Sequence, residues 1–149
     1  MRFRERLGIP VWWWLAAPAL TALLAAEIYL GRPGWATAVP YLILLPAVVG
    51  GLWWLGRITI TVTATELVVD DARLPLHLVG PVTVLDEQAR QELLGPSAEP
   101  LAFVIQRPWV PRAVRVDLLD PADPTPYWLV CSRHPEALAD ALTALPRGH

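Results

Sequence analysis

The stretch "RITITVTATELVVDD", residues 57–71, decides the architecture because the hydrophobic pattern of the chain changes there. Residues 7–56 are apolar almost without interruption, whereas apolar and polar residues alternate in "ITITVT" (58–63), and "ELVV" follows at 66–69. Alternation over about four to eight residues is typical of a half-buried β-strand. We therefore divide the chain here into an apolar N-terminal part and a β-rich C-terminal part.

The C-terminal part, residues 58–149, continues with short strands and two helices. "EQARQELL" predicts a helix from Glu87 to Leu94, with Gly95 in a position that suits the residue after a helix. "PEALADALTAL" predicts an amphipathic helix that begins at Pro135. Further strands are predicted at 72–78, 81–86, 101–106, 113–119 and 127–132.

Four strands, a short helix, three strands and a final helix predict an α+β domain. This order is that of a pleckstrin-homology-like β-barrel or sandwich, in which the C-terminal helix closes one end of a bent sheet. The alternative is an open α+β sandwich whose C-terminal helix packs across one face.

Two apolar runs precede this domain. Val11–Leu30 carries one charge, Glu27, and Trp35–Leu55 carries none. At about 1.5 Å per residue, each run as a helix reaches roughly 30 Å, the hydrocarbon thickness of a bilayer. Tryptophan prefers the membrane interface, and six of the eight tryptophans lie near the ends of the runs. The sequence therefore predicts a membrane α-helical hairpin made of two N-terminal transmembrane helices, at 11–30 and 35–55.

The arginines predict the orientation of this hairpin. The positive-inside rule places residues 1–10 and 58–149 in the cytoplasm and the turn at 31–34 outside, as in a multi-pass protein of the plasma membrane. Because "MRFRER" is followed by an apolar run, a cleaved signal peptide is the alternative, but a second run follows at once. The arginines on the cytoplasmic side are Arg2, Arg4, Arg6, Arg57 and Arg73, against Arg32 in the turn, which Glu27 offsets.

Composition restricts the partners. The 149 residues carry a net charge of −2, and all twelve basic residues are arginine. Without a basic surplus, we expect no nucleic-acid partner. The single cysteine cannot form an internal disulfide.

One segment suggests a binding surface. "RPWVPRAVR" (107–115) contains Arg107, Trp109, Arg112 and Arg115, and an aromatic ring among guanidinium groups suits a lipid headgroup, an interface or an acidic peptide. The alternative is a proline-stiffened hairpin whose tryptophan packs locally. Glu27, the acid within a predicted span, is a possible intramembrane polar site, although it lies near the outer end and can reach water or Arg32.

Catalytic and metal sites are not predicted. "YWLVCSRHPEAL" (127–138) places Cys131 before His134, but strand alternation puts the thiol with apolar neighbours, so we interpret it as a buried residue rather than a nucleophile. His77 and His149 complete no zinc pattern, and Asp120 and Asp123 lack the spacing of a calcium loop. We expect no cofactor and no enzymatic activity.

Three stretches carry a family resemblance: "RERLGIPVWWW", "ELVVDDARLPLHLVGPVTVLD" and "PWVPRAVRVDLLDPADPTPYWLVCSRHPEAL". They resemble an actinobacterial membrane-protein family, domain of unknown function 3093, and more loosely the bacterial pleckstrin-homology domains found beside membrane spans. The resemblance implies two N-terminal spans and a small C-terminal domain. It implies no reaction, cofactor or catalytic residue.

These observations favour an integral membrane protein that presents a small domain at the inner leaflet for protein assembly or lipid contact. Membrane lipids are the expected partners, with a protein partner or a second copy of the chain as further possibilities. The alternative is an accessory subunit of a membrane enzyme or transporter.

Overall fold

The computed structural model describes residues 2–31, 34–96 and 98–144. The chain forms two compact units, which we describe separately. The helical unit comprises residues 8–57. The α+β unit comprises residues 58–149 together with the first seven residues of the chain.

The helical unit consists of two apolar helices that contact each other, α1 (Trp13–Tyr29) and α2 (Val39–Leu55). A turn of 3-10 helix, Gly34–Thr37, precedes α2. The connection uses positive φ angles of 90° at Gly31 and 85° at Gly34, which glycine adopts without a steric penalty.

The prediction of two N-terminal transmembrane helices is wrong. Among the described residues, only Gly34–Leu55, 22 residues long, is long and apolar enough to cross a bilayer. α1 has 17 residues, so at 1.5 Å per residue it reaches only about 26 Å. The apolar run Val11–Leu30 suggested a longer helix because its first two residues and its last are apolar without being helical.

The first sheet of the α+β unit has the strand order β1-β2-β3-β4, and all of its pairs are antiparallel. β2, β3 and β4 form a meander with short turns, and Asp70 takes a φ of 55° in the turn between β3 and β4. β1 lies at the N-terminal end of the described chain. It pairs with β2, although the whole helical unit separates the two strands in sequence. The strands are β1 (Phe3–Arg6), β2 (Thr59–Val62), β3 (Glu66–Val69) and β4 (Ala72–Pro75).

The second sheet follows a short 3-10 turn, Leu76–Leu78. Its strand order is β5-β7-β8-β6, and β6 runs parallel to β8 while the other pairs are antiparallel. Its elements in chain order are β5 (Val79–Leu85), α3 (Glu87–Leu94), β6 (Phe103–Ile105), β7 (Ala113–Leu118) and β8 (Tyr127–Cys131), and α4 (Pro135–Thr143) ends the described domain.

Local signals explain the helices of this unit. The Asp86 carboxylate accepts a hydrogen bond of 2.7 Å from the Ala89 N–H and so caps α3, as acidic residues at this position do. Pro135 occupies the start of α4, where its missing N–H has no helical partner to lose. Leu138 and Leu142 are the buried leucines of α4, one helical turn apart.

A single hydrophobic core joins both sheets and α4. All five residues of β8 are buried, so this strand is covered on both faces and its sequence is a continuous apolar run. The largest fully buried side chains include Leu7, Ile60, Leu67, Leu129 and Leu138.

The α+β class and the order of elements from β2 to α4 are confirmed, but the pleckstrin-homology-like arrangement is wrong. That arrangement requires neighbouring strands of the chain to pair in sequence. Here β7 lies between β5 and β8, and β6 pairs with β8 in parallel. The 27-residue interval between β5 and β7 lets β6 lie at the far edge of the sheet, beside β8, so that β7 pairs with β5 directly.

Candidate functional site

The arginine–tryptophan segment lies mostly in the connection between β6 and β7. Arg107 is half-buried and donates a hydrogen bond of 2.8 Å to the carbonyl of Gln106. Trp109 is half-buried and packs against the hydrophobic core, next to the fully buried Val110. Trp109 therefore contributes to the fold of this connection.

The other two arginines of the segment pair with acids of the same unit. Arg112 forms an ion pair with Glu136 of α4. Arg115, in β7, pairs with Asp117 at 3.0 Å, and its guanidinium lies 4.3 Å from the centroid of the Tyr127 ring. A lipid or an acidic peptide would have to compete with these partners. The role of the segment in binding stays a prediction.

Glu27 lies near the C-terminal end of α1 and is exposed. No described residue forms an ion pair with its carboxylate. Arg32, which the sequence suggested as its partner, is outside the described residues, as is His149. An intramembrane role for Glu27 also stays a prediction.

The cysteine and the histidine of the "CSRH" stretch face different surroundings. Cys131 is fully buried, and its Sγ lies 3.7 Å from Nη1 of Arg90 in α3. His134 is exposed, and its Nδ1 lies 3.7 Å from a carboxylate oxygen of Glu5. The thiol is inaccessible and has no contact with the imidazole, so this geometry gives no support to a nucleophile activated by a neighbouring base.

Glu5 is a residue that the sequence analysis missed. It lies in β1, is almost fully buried, and accepts hydrogen bonds from the Ser132 hydroxyl and from the Arg133 N–H, the latter at 2.8 Å. The Ser132 hydroxyl also accepts a hydrogen bond of 3.0 Å from the His134 N–H. These bonds connect the N-terminal strand to the segment between β8 and α4.

This cluster has the residue types of a hydrolytic triad but a different geometry. The serine hydroxyl is fully buried and donates to the carboxylate, whereas a nucleophilic serine donates to a histidine. The carboxylate instead lies at the start of α4, where unpaired N–H groups and the helix dipole favour a negative charge. We assign the cluster a structural role. The alternation in "RFRERL" contained the signal, because it places Glu5 on the same side as Phe3 and Leu7.

The helical unit exposes most of the large apolar side chains on the described surface. Of the nineteen that are exposed, sixteen belong to this unit and three to the α+β unit. Among the helix residues whose burial the structure describes, Ala25, Pro40 and Leu52 are the buried ones. The most exposed are Val11, Leu15, Ile28, Leu30, Trp35 and Leu42. Monomeric soluble proteins rarely expose contiguous apolar surface of this extent.

A family model described as "Protein of unknown function (DUF3093)" matches residues 2–142. The chain belongs to this family. No curated protein and no solved structure gave a significant match. The match begins one residue before β1 and extends through both units, so the N-terminal strand is part of what defines this DUF3093 member.

The remaining acids of the sequence analysis are turn residues in this DUF3093 protein. Asp120 accepts a hydrogen bond of 2.9 Å from the Ala122 N–H, and Asp123 accepts one of 2.8 Å from the Thr125 N–H. The backbone and side-chain hydrogen bonds from Thr125 lower the pKa of Asp123. Among the described residues, no group of three metal-ligating side chains is assembled.

Proposed function

We propose that this protein is an integral membrane protein. Its helical unit is embedded in a lipid bilayer, and its α+β unit is held at the cytoplasmic surface for lipid contact or protein assembly. The observation that carries the proposal is the apolar surface of the helical unit, with sixteen exposed large apolar side chains. Lipid chains would cover this surface without the free-energy cost of exposing it to water.

The sequence of α2 supports a bilayer rather than a soluble environment. A helix at the surface of a soluble protein has one apolar face, and its opposite face is polar. α2 has no charged residue over its whole length, and exposed residues occur in every turn from Leu42 to Trp54. Its buried residues are Pro40 and Leu52.

The pairing of β1 with β2 supports an anchor that stays attached to the mature protein. Cleavage of a signal peptide within the apolar region would separate β1 from β2, and would remove the fully buried Leu7 from the core. The same pairing requires that β1 and β2 lie on one side of the bilayer. The arginines at the two ends of the helical unit favour the cytoplasmic side, by the positive-inside rule.

The test is fractionation of cells that express the full chain. We expect the protein to stay with membranes after washes in high salt and in alkaline carbonate, and to dissolve in mild detergent. Release by salt or alkali alone would show a peripheral protein and contradict the proposal.

A matched pair of variants sharpens this test. Ile43 is 63% exposed and lies near the middle of Gly34–Leu55, and Leu119 is 60% exposed on the α+β unit. An acid at the centre of a membrane helix costs about 2.5–3.5 kcal/mol, so Ile43→Asp should lower the membrane-inserted fraction. Leu119→Asp should leave that fraction unchanged. Equal behaviour of the two variants would argue against insertion of α2.

A further inference from the structure

The outer face of the first sheet concentrates positive charge. Side chains of the N-terminal segment alternate between the core and the surface, with Phe3, Glu5 and Leu7 directed inward. The three exposed residues between and before them are all arginines: Arg2, Arg4 and Arg6. A strand with this period presents its arginines on one face of the sheet.

The strand register extends this face across the sheet. Arg4 lies opposite Thr61 of β2, Thr61 opposite Val68 of β3, and Val68 opposite Arg73 of β4. Glu66 is the acid on this face, and it pairs with Arg73 at 3.3 Å. Asp70, in the turn between β3 and β4, is a second acid at the end of this face, since it follows Val68 by two residues and its N–H donates to the carbonyl of Thr59. Four arginines and these two acids give the face a charge of +2, whereas the whole chain carries −2.

Arg2 and Arg4 differ from Arg112 and Arg115 of the 107–115 segment. Among the described residues, no acid lies within ion-pair distance of Arg2 or Arg4, whereas Arg112 and Arg115 each have an acidic partner. An anion would meet Arg2 and Arg4 without displacing an internal carboxylate.

Short segments of the chain connect this sheet to the apolar helices. Arg6 precedes the first residue of the helical unit, Gly8, by two residues, and β2 begins two residues after Arg57, the last residue of that unit. Two extended residues span about 7 Å, which is within the distance over which charges attract at physiological salt. If the helical unit lies in a bilayer, these strands stay near its headgroups.

We propose that the outer face of the first sheet, defined by Arg2, Arg4, Thr61 and Arg73, binds the headgroups of anionic phospholipids. This inference rests on the proposed function for its location. Its chemistry is guanidinium binding to phosphate, in which planar N–H groups donate to phosphate oxygens. Thr61, which lies opposite Arg4 in the sheet, offers a hydroxyl group beside the arginines.

The experiment uses the full chain in a neutral detergent, titrated with short-chain phosphatidylglycerol or with phosphatidylcholine. The apparent Kd is read from the shift in the thermal unfolding midpoint. We expect preference for phosphatidylglycerol, weakened by salt. Arg2→Gln with Arg4→Gln should weaken binding about thirty-fold, which follows from about 1 kcal/mol per arginine and 1.4 kcal/mol per tenfold change.

Two control pairs complete the design. Arg107→Gln with Arg112→Gln removes the same charge from the other arginine segment and should leave the affinity unchanged. Arg2→Lys with Arg4→Lys keeps the charge but loses the planar donor groups, so it should bind more weakly than the wild type and more tightly than the glutamine pair. If the glutamine pair unfolds, as judged by circular dichroism, weaker binding by the lysine pair decides the matter.

Three results would overturn the proposal. The first is equal affinity of the wild-type protein for the two lipids at low salt. The second is loss of binding in the Arg107 and Arg112 double variant while the Arg2 and Arg4 double variant keeps it. The third is competition by inorganic phosphate as strong as that by the lipid, which would indicate a site for a free anion. Membrane fractionation reports the proposed function separately, because salt-resistant attachment depends on the helical unit and not on headgroup selectivity.

Discussion

At the scale of single residues, Glu5 is the side chain that links the N-terminal strand β1 to the segment between β8 and α4. Glu5 is 8% exposed, and its carboxylate accepts hydrogen bonds from the Ser132 hydroxyl and from the Arg133 N–H. A buried carboxylate is stable only where hydrogen-bond donors replace the water it has lost. These donors are provided by the segment that leads into α4, so the position of β1 and the start of α4 depend on each other.

Replacing Glu5 by alanine should therefore destabilise the α+β unit. The change leaves the buried Ser132 hydroxyl and the partly buried Arg133 N–H without their acceptor, and a buried unsatisfied group costs about 1–3 kcal/mol. Glu5→Gln keeps one acceptor oxygen and should cost less. The measurement is the thermal unfolding midpoint of the full chain in mild detergent, with Arg4→Ala, an exposed change in the same strand, as the control. Equal midpoints for Glu5→Ala and Arg4→Ala would show that the carboxylate contributes nothing.

At the scale of secondary-structure elements, the sequence predicts individual strands and helices well and their pairing poorly. The helix Glu87–Leu94 is confirmed to the residue, because its boundaries depend on local signals such as the Asp86 cap. The sequence analysis did not predict β1, because its four residues, FRER, resemble the charged flank of an apolar helix. Its partner strand, β2, also begins more than fifty residues later. The parallel pairing of β6 with β8 likewise has no signal in either strand alone. Local patterns specify elements, whereas pairing depends on which surfaces the core brings together.

The contact between β5 and β7 provides a test at this scale. A Cβ added to Gly80 would lie 2.8 Å from the carbonyl oxygen of Asp117, in the neighbouring strand. Atoms cannot approach so closely, so Gly80→Ala should separate the strands locally and destabilise the unit by about 1–3 kcal/mol. Gly8→Ala is the control, since no atom lies within 4 Å of its added Cβ. Unfolding midpoints of both variants report the difference, and a Gly80→Ala protein as stable as the wild type would refute the close packing.

At the scale of the whole molecule, one sheet contains strands from both sides of the apolar region. The sequence analysis treated the first ten residues as a flank of the membrane region, and the structure instead includes Phe3–Arg6 in the sheet. The candidate cationic face follows from that difference, because the arginines that suggested orientation also form a continuous surface with β2. Their side chains became a candidate site only when the register of β1 was known.

The same pairing makes a prediction about topology, testable with single cysteines in a Cys131→Ser background. Arg4→Cys places a thiol in β1, and Asp123→Cys places one in the exposed loop before β8. Because β1 pairs with β2 in one folded unit, both thiols should face the cytoplasm. A membrane-impermeant maleimide should label neither in intact cells and both after permeabilisation, whereas the buried Cys131 of the wild type should react only after unfolding. Labelling of one site but not the other in intact cells would mean that the β1–β2 pair does not form in the membrane. Labelling of both would preserve the pair and reverse the orientation, because the pairing requires a common side and only the arginines select which side it is.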